Sequence, residues 1–385
     1  MESTTIELGS KDSQGVNLVE NSGNFDDSEM KKRKMMRIII IGSIFLILAI
    51  IAIVLLVCLL PKTECEKGGN EKCRTCVENS KKCSACNPGF RLEDGKCFFF
   101  YSFEAIYKSR QNNDINEDTK LFDVEYLKDY TINKIQVDDK FVDTTTNYYK
   151  FTTEGEHKVR VNIDLKNSSS LQKFFEGNNE LISINFTNDF NTSMIENMDE
   201  MFASAKNLIS IDSSNLNTEN VITMKNMFKS CSKMTSIDLT SFKTSKVKST
   251  AGLFSGCTSL TDIDISNLDL ENNENMSSMF SDCSSLEKIS LSKIKNKNLL
   301  NISSLFENCN SLESANIGDL NTEKVSDMSN MFKNCITLKN IDVSEFNSSN
   351  LENMFGMFEN SAITSLDLST FVTKNVKNMG NLFKD

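Results

Sequence analysis

Val221-Ile-Thr-Met-Lys-Asn-Met-Phe-Lys-Ser-Cys-Ser-Lys-Met-Thr-Ser-Ile-Asp-Leu-Thr-Ser-Phe242 holds two periods in succession. Val221, Met224, Met227, Phe228, Cys231 and Met234 are spaced three, three, one, three and three, which is one face of a helix. Ile237 and Leu239 then alternate with Asp238 and Thr240, as in a strand with one face buried. Ser, Thr and Asn cluster just before the first period, where they can cap free amide groups. The stretch predicts a short helix followed by a short strand.

The same frame recurs in both directions. Cys231, Cys257, Cys283, Cys309 and Cys335 stand 26 residues apart. Met227-Phe228 returns as Met201-Phe202, Leu253-Phe254, Met279-Phe280, Leu305-Phe306, Met331-Phe332 and Met357-Phe358. Leu382-Phe383 closes the series one residue early. A fixed period of this length marks a repeat array. One helix and one strand cannot bury their own apolar face, whereas stacked copies can, so the array is expected to be a solenoid. Strands ~4.8 Å apart would build a parallel wall, with helices lining the other wall.

The stretch Val325-Ser-Asp-Met-Ser-Asn-Met-Phe-Lys-Asn-Cys-Ile-Thr-Leu-Lys-Asn-Ile-Asp-Val-Ser-Glu-Phe346 resembles leucine-rich-repeat surface proteins of the BspA type. The resemblance covers residues 171 to 385. Ala205 and Ser361 replace the cysteine at the two ends, and Thr250 and Ile302 replace the first methionine. It implies a cell-surface protein engaged in adhesion to a host or matrix. The fold class expected is α/β: a leucine-rich-repeat-like solenoid over 171–385, capped by a small β domain, with a disulfide-rich stalk and one transmembrane helix.

Residues 38 to 60 are apolar or small and carry no charge, long enough for one membrane-spanning signal anchor. Lys31, Lys32, Arg33, Lys34 and Arg37 precede this run, and the basic side stays in the cytosol. The expected location is the plasma membrane, single-pass type II, with the C-terminal bulk outside. A cleaved signal peptide fits less well, because the run starts late and lacks a small-residue exit. Residues 1–37 read as a disordered cytosolic tail.

Six cysteines, Cys65, Cys73, Cys76, Cys83, Cys86 and Cys97, crowd the stalk at 61–97. Two C-x-x-C pairs admit zinc, but an even count in an extracellular segment favours disulfides. The run Cys83-Ser-Ala-Cys-Asn-Pro-Gly-Phe-Arg-Leu-Glu-Asp-Gly-Lys-Cys97 resembles furin-like cysteine-rich modules of growth-factor receptors. That resemblance implies pairing of Cys65 with Cys76, Cys73 with Cys83, and Cys86 with Cys97. Residues 98–170 are rich in aromatic and β-branched types and read as a small antiparallel β domain capping the solenoid.

Catalytic chemistry is not expected. The chain has one histidine, His157, and no phosphate loop, nucleophile elbow or H-E-x-x-H motif. No cofactor or metal site is expected, and the net charge of −11 disfavours nucleic acid as a partner. The cysteine ladder reads as small buried thiols rather than a redox zipper.

Asp212, Asp238, Asp264, Asp342 and Asp367 form a second ladder, with Ser290 and Asn316 between them. Stacked like charges cost stability. Either local hydroxyls and amides satisfy them, or they bind something. The proposed ligand face comprises these five acids with Ser266, Ser292 and Ser344. Glycosylation sequons occur at Asn167, Asn185, Asn191, Asn275, Asn301 and Asn347. The leading functional expectation is an extracellular solenoid that binds a protein or glycan ligand. The alternatives are a self-assembling surface coat, joined through an open C-terminal end of the solenoid, and a receptor signalling through the short tail.

Overall fold

The computed structural model describes the backbone at 73–76, 83–86, 90–93, 96–99 and 101. It describes side chains from 102 to 385, except at 110–117, 128–129, 143–145, 166–167, 189, 191 and 319. These residues belong to one compact unit, Glu64–Asp385.

No described residue is helical, which corrects the expected helical wall. In its place stands a wall of stacked tight turns. Asn226 and Ser230 adopt left-handed backbone, with φ of 53° and 59°. An α-helix of L-residues does not run through such positions. Between them the backbone groups alternate in use. The amides of Met224, Asn226, Phe228 and Ser230 donate forward to the carbonyls of Ser249, Ala251, Leu253 and Ser255 in the next turn, at 2.6–3.1 Å. The amides of Met227, Lys229, Cys231 and Met234 close local three-residue turns onto Met224, Asn226, Phe228 and Cys231. Met224, Met227, Phe228 and Cys231 are buried as an i, i+3, i+4, i+7 set all the same. The apolar spacing thus reports burial by a three-residue turn repeat and not a helix.

The left-handed positions recur in every turn. Gly252, Ser278, Ser304, Asn330 and Gly356 continue the first column. Gly256, Asp282, Asn308, Asn334 and Asn360 continue the second. Gly, Asn and Asp are the types that tolerate this conformation best. At Gly252 a Cβ would also press on the Asn226 carboxamide oxygen, which would have to swing aside.

A polar column fixes the register beside these turns. Single parallel bridges run without a break from Ser170 through Asn197, Thr223, Ser249, Asn275, Asn301, Asp327 and Asn353 to Asn378. The side-chain oxygens of Asn275, Asn301 and Asp327 accept the amides of Ser277, Ser303 and Ser329, two residues on. They cap a turn, not a helix. Inside, Phe175, Phe202, Phe228, Phe254, Phe280, Phe306, Phe332, Phe358 and Phe383 stack in one column. Adjacent ring centroids lie 5.1–5.8 Å apart and the planes agree within 18°.

The opposite wall is the strand wall, and it is discontinuous. Leu181–Phe186 pairs in parallel with Ser210–Asp212, and Lys288–Ser290 pairs in parallel with Ser314–Asn316. The segments around Ile237–Leu239 and Ile263–Ile265 form no strand pairing, although Leu239, Ile263 and Ile265 are buried.

The first solenoid strand is covered by the β domain. Tyr101–Ser109 pairs antiparallel with Leu181–Phe186 on one side and with Gly155–Asp164 on the other. Thr131–Val137 and Lys140–Val142 complete a six-stranded sheet. The cap is therefore an extension of the strand wall, and it removes the exposed edge that the first turn would otherwise present. Phe103 anchors it, with edge-on contacts to Phe122, Phe174, Phe175 and Phe190.

Two further expectations are corrected. No helix among the described residues is long and apolar enough to cross a membrane. The run at 38–60 that prompted the transmembrane helix, and the tail at 1–37, lie outside the described residues. No disulfide is present among the described residues. In the stalk, Cys65 and all cysteine side chains lie outside them. The backbone of Cys73–Cys76 pairs antiparallel with Cys83–Cys86, with Cys73 opposite Cys86 and Cys76 opposite Cys83. That register does not set Cys73 opposite Cys83, the partner expected for it.

Candidate ligand face on the strand wall

The alternation read from sequence positions the wall. Asp212, Asp238, Asp264, Asp342, Ser344 and Asp367 are exposed, and Ser266 and Ser292 are half-buried. Each acid is held by its own turn. Asp238 accepts the amide of Thr240 at 2.9 Å, Asp264 that of Ser266 at 2.8 Å, and Asp342 that of Ser344 at 2.9 Å. Asp367 accepts from Ser369 and Asp212 from Ser214. The repeated aspartate is thus an Asx turn ending the strand segment.

The turns also tune the charge. The amide and hydroxyl of Thr240 lower the carboxyl pKa of Asp238. The hydroxyl and amide of Ser266, with Lys293 nearby, do the same for Asp264. Ser344 and Ser369 lower Asp342 and Asp367 through their amides first. Asp238, Asp264, Asp342 and Asp367 therefore stay ionised to lower pH than free carboxyl groups.

A groove of about 530 Å³ opens on this wall across three turns. Asp264, Ser266, Ser290, Ser292, Lys288 and Lys293 contribute to its lining. The groove brings together three of the residues expected from sequence: Asp264, Ser266 and Ser292. Asp212 lines a second hollow of about 310 Å³, shared with Glu104, Lys158 and Asn185 of the cap sheet. Asp238, Asp342, Ser344 and Asp367 lie outside both. Lys288 and Lys293 were not singled out from sequence. The signal was present: they flank Ser290, the first position where the acid column is interrupted.

Among the sequons, Asn185 and Asn347 are exposed, whereas Asn275 and Asn301 are half-buried in the bridge column. Asn167 and Asn191 lie outside the described residues. No group of three or more His, Cys, Asp or Glu residues able to hold a metal occurs among the described residues.

Two other sets of residues bear on chemistry. Cys231, Cys257, Cys283, Cys309 and Cys335 are free and buried. Each thiol donates to a phenylalanine carbonyl of the preceding turn, Phe202, Phe228, Phe254, Phe280 and Phe306, at 3.1–3.2 Å. Burial pushes the Cys231 and Cys335 thiols up to about 12. In the cap, His157 is buried between Asp138, 2.8 Å from Nδ1, and the Thr153 carbonyl, 2.9 Å from Nε2. Ser109 Oγ lies 3.1 Å from the same Nε2 and donates to Thr153 at 2.7 Å. A ring nitrogen facing a carbonyl must carry its hydrogen, so Nε2 has no lone pair with which to take the Ser109 proton. The three side chains lock two turns together and do not form a nucleophile relay.

Residues 169–294 and 275–385 match the family described as Mycoplasma protein of unknown function, DUF285. The chain belongs to the DUF285 family. The match covers the whole repeat array and says nothing of a furin-like module in the stalk. No curated protein and no solved structure matches the chain. The stacked-turn wall and the Asx ladder are thus features of this DUF285 array.

Proposed function

We propose that this chain is a surface-displayed binding protein, whose strand wall attaches to an extracellular protein or glycan. The groove of about 530 Å³ is the observation that carries the reading. It is open, lined by charged and hydroxyl groups with Ile263, Ile289 and Ala315 between them, and spread over several turns, as suits a macromolecular ligand bound with modest strength per turn and summed along the array. A closer kinship with the BspA-type surface proteins agrees with it, as does the furin-like pattern at Cys83 to Cys97.

Protease treatment of intact cells tests the reading. Removal of residues beyond 62 together with loss of attachment to matrix or cells is expected. A repeat array that survives until the cells are permeabilised would overturn it.

A further inference from the structure

We propose that the strand-wall groove also binds a second copy of this chain, face to face and reversed. This rests on the reading of the wall as the binding face and adds one partner to it. The groove is dipolar. Asp262 and Asp264 stand on one turn, and Lys288 and Lys293 stand on and beside the next. All four are exposed, and none forms an ion pair with another residue among the described ones. Asp264 feels Lys293 only as a nearby charge.

A two-fold interface joins residue i to j and j to i, so it requires a patch that is complementary to itself. An acid pair and a base pair on adjacent turns meet that requirement. With the two-fold axis between these turns, Lys288 and Lys293 of each copy meet Asp262 and Asp264 of the other. The same reversal sets Asp238 against Asn316, so no acid faces an acid in the turns beside the centre. The long lysine side chains occupy the open volume of the opposing groove, while Ser266, Ser290 and Ser292 offer hydroxyls around them. Acids lined up with acids, as in a parallel pairing, would repel.

The contact spans four short turns of each copy, from Asp238 to Asn316, a narrow strip that is small beside the area of a stable dimer, so the pair is weak in solution. Many copies fixed on one surface raise its occupancy by their effective concentration. Exposed ion pairs are screened, so the pairing weakens as salt rises from ~10 mM to 0.5 M.

Sedimentation equilibrium of the full chain in density-matched detergent tests this with two charge reversals, Asp262→Lys with Asp264→Lys, and Lys288→Asp with Lys293→Asp. Each reversed chain alone should lose self-association at least tenfold, and an equimolar mixture of the two should restore it. These positions are exposed, and a cooperative thermal transition in each variant controls for folding, with a modest drop in midpoint expected for Asp264→Lys because the Ser266 amide loses its acceptor. Failure of the mixture to re-associate, or self-association in either reversed chain alone, overturns the proposal. Attachment of the same chains to cells or matrix separates the two readings. Reversals that lower attachment while the wild-type chain stays monomeric leave the binding wall standing and remove the second copy as its partner. Reversals that alter neither attachment nor association remove both.

Discussion

The thiol of Cys257 donates to the carbonyl of Phe228 one turn earlier, at 3.2 Å, and the same bond recurs at every cysteine of the ladder. The cysteines are structural donors inside the core. Desolvation raises the pKa of every one of them. An alkylating reagent at pH 8 should leave all five unlabelled in the folded protein and label all five after denaturation without reductant. Mass spectrometry reads the result, and native labelling of Cys257 or Cys283 would contradict the burial.

The same shift sets a pH dependence at the alkaline end. Unfolded thiols ionise near 9 while the folded ones resist, so the unfolded state releases protons first. Stability is full below about pH 9 and falls as pH rises towards 12. Thermal melts between these values should show falling midpoints. Replacement of Cys231 and Cys335 by alanine should flatten that slope while lowering the midpoint at neutral pH, since buried truncation costs on the order of 1–3 kcal/mol.

In the cap, acid acts in part through Asp138. Its bond to His157 is the main cause that lowers its carboxyl pKa. A depressed carboxylate adds stability above its ordinary value, and this is lost as pH falls through the folded one. Asp138→Asn should therefore lower the melting midpoint at neutral pH and remove part of the acid sensitivity. An unchanged acid profile would show that the His157 lock does not hold the cap.

Ser278 distinguishes stacked turns from a helix by sign. Its φ is 55°. In a helix, Ser278→Ala would stabilise and Ser278→Gly would destabilise. In a left-handed turn the order reverses, and glycine should exceed alanine by about 1 kcal/mol. Gly252→Ala meets both the φ of +64° and the Asn226 oxygen, and should cost more than that. Gly318→Ala meets only the Asn316 carboxamide oxygen, at an ordinary 4.0 Å, with no left-handed backbone, and should cost little. Denaturant titration measures all four.

Much of this fold is legible in the repeat. The period and the buried column from Met224 to Cys231 fall where the spacing places them, whereas around Asp238 only Leu239 is buried, Ile237 is half-buried and the expected strand does not form. The wall of turns is not legible from apolar spacing, because i, i+3, i+4, i+7 burial suits a helix and a run of three-residue turns equally. The distinguishing signal lies in the polar residues. Asn226, Gly252, Asn330 and Gly356 form one column tolerant of left-handed backbone, and Gly256, Asp282, Asn308 and Asn334 form another. A helix has no use for two such columns four residues apart. On the candidate face, the acids were legible as outward positions. Lys288 and Lys293 were not, because attention to the repeated residue hides the turn that departs from it.

Attachment of the full chain to cells or matrix, compared between the two walls, tests the central claim most directly. Asp238→Asn, Asp264→Asn and Asp342→Asn combined should weaken attachment at least several-fold with the array still folded. Lys225→Ala with Lys229→Ala, both exposed on the turn wall, should leave it unchanged. Undiminished attachment of the aspartate variant, with attachment lost in the lysine variant, would contradict the account and place the binding face on the stacked turns.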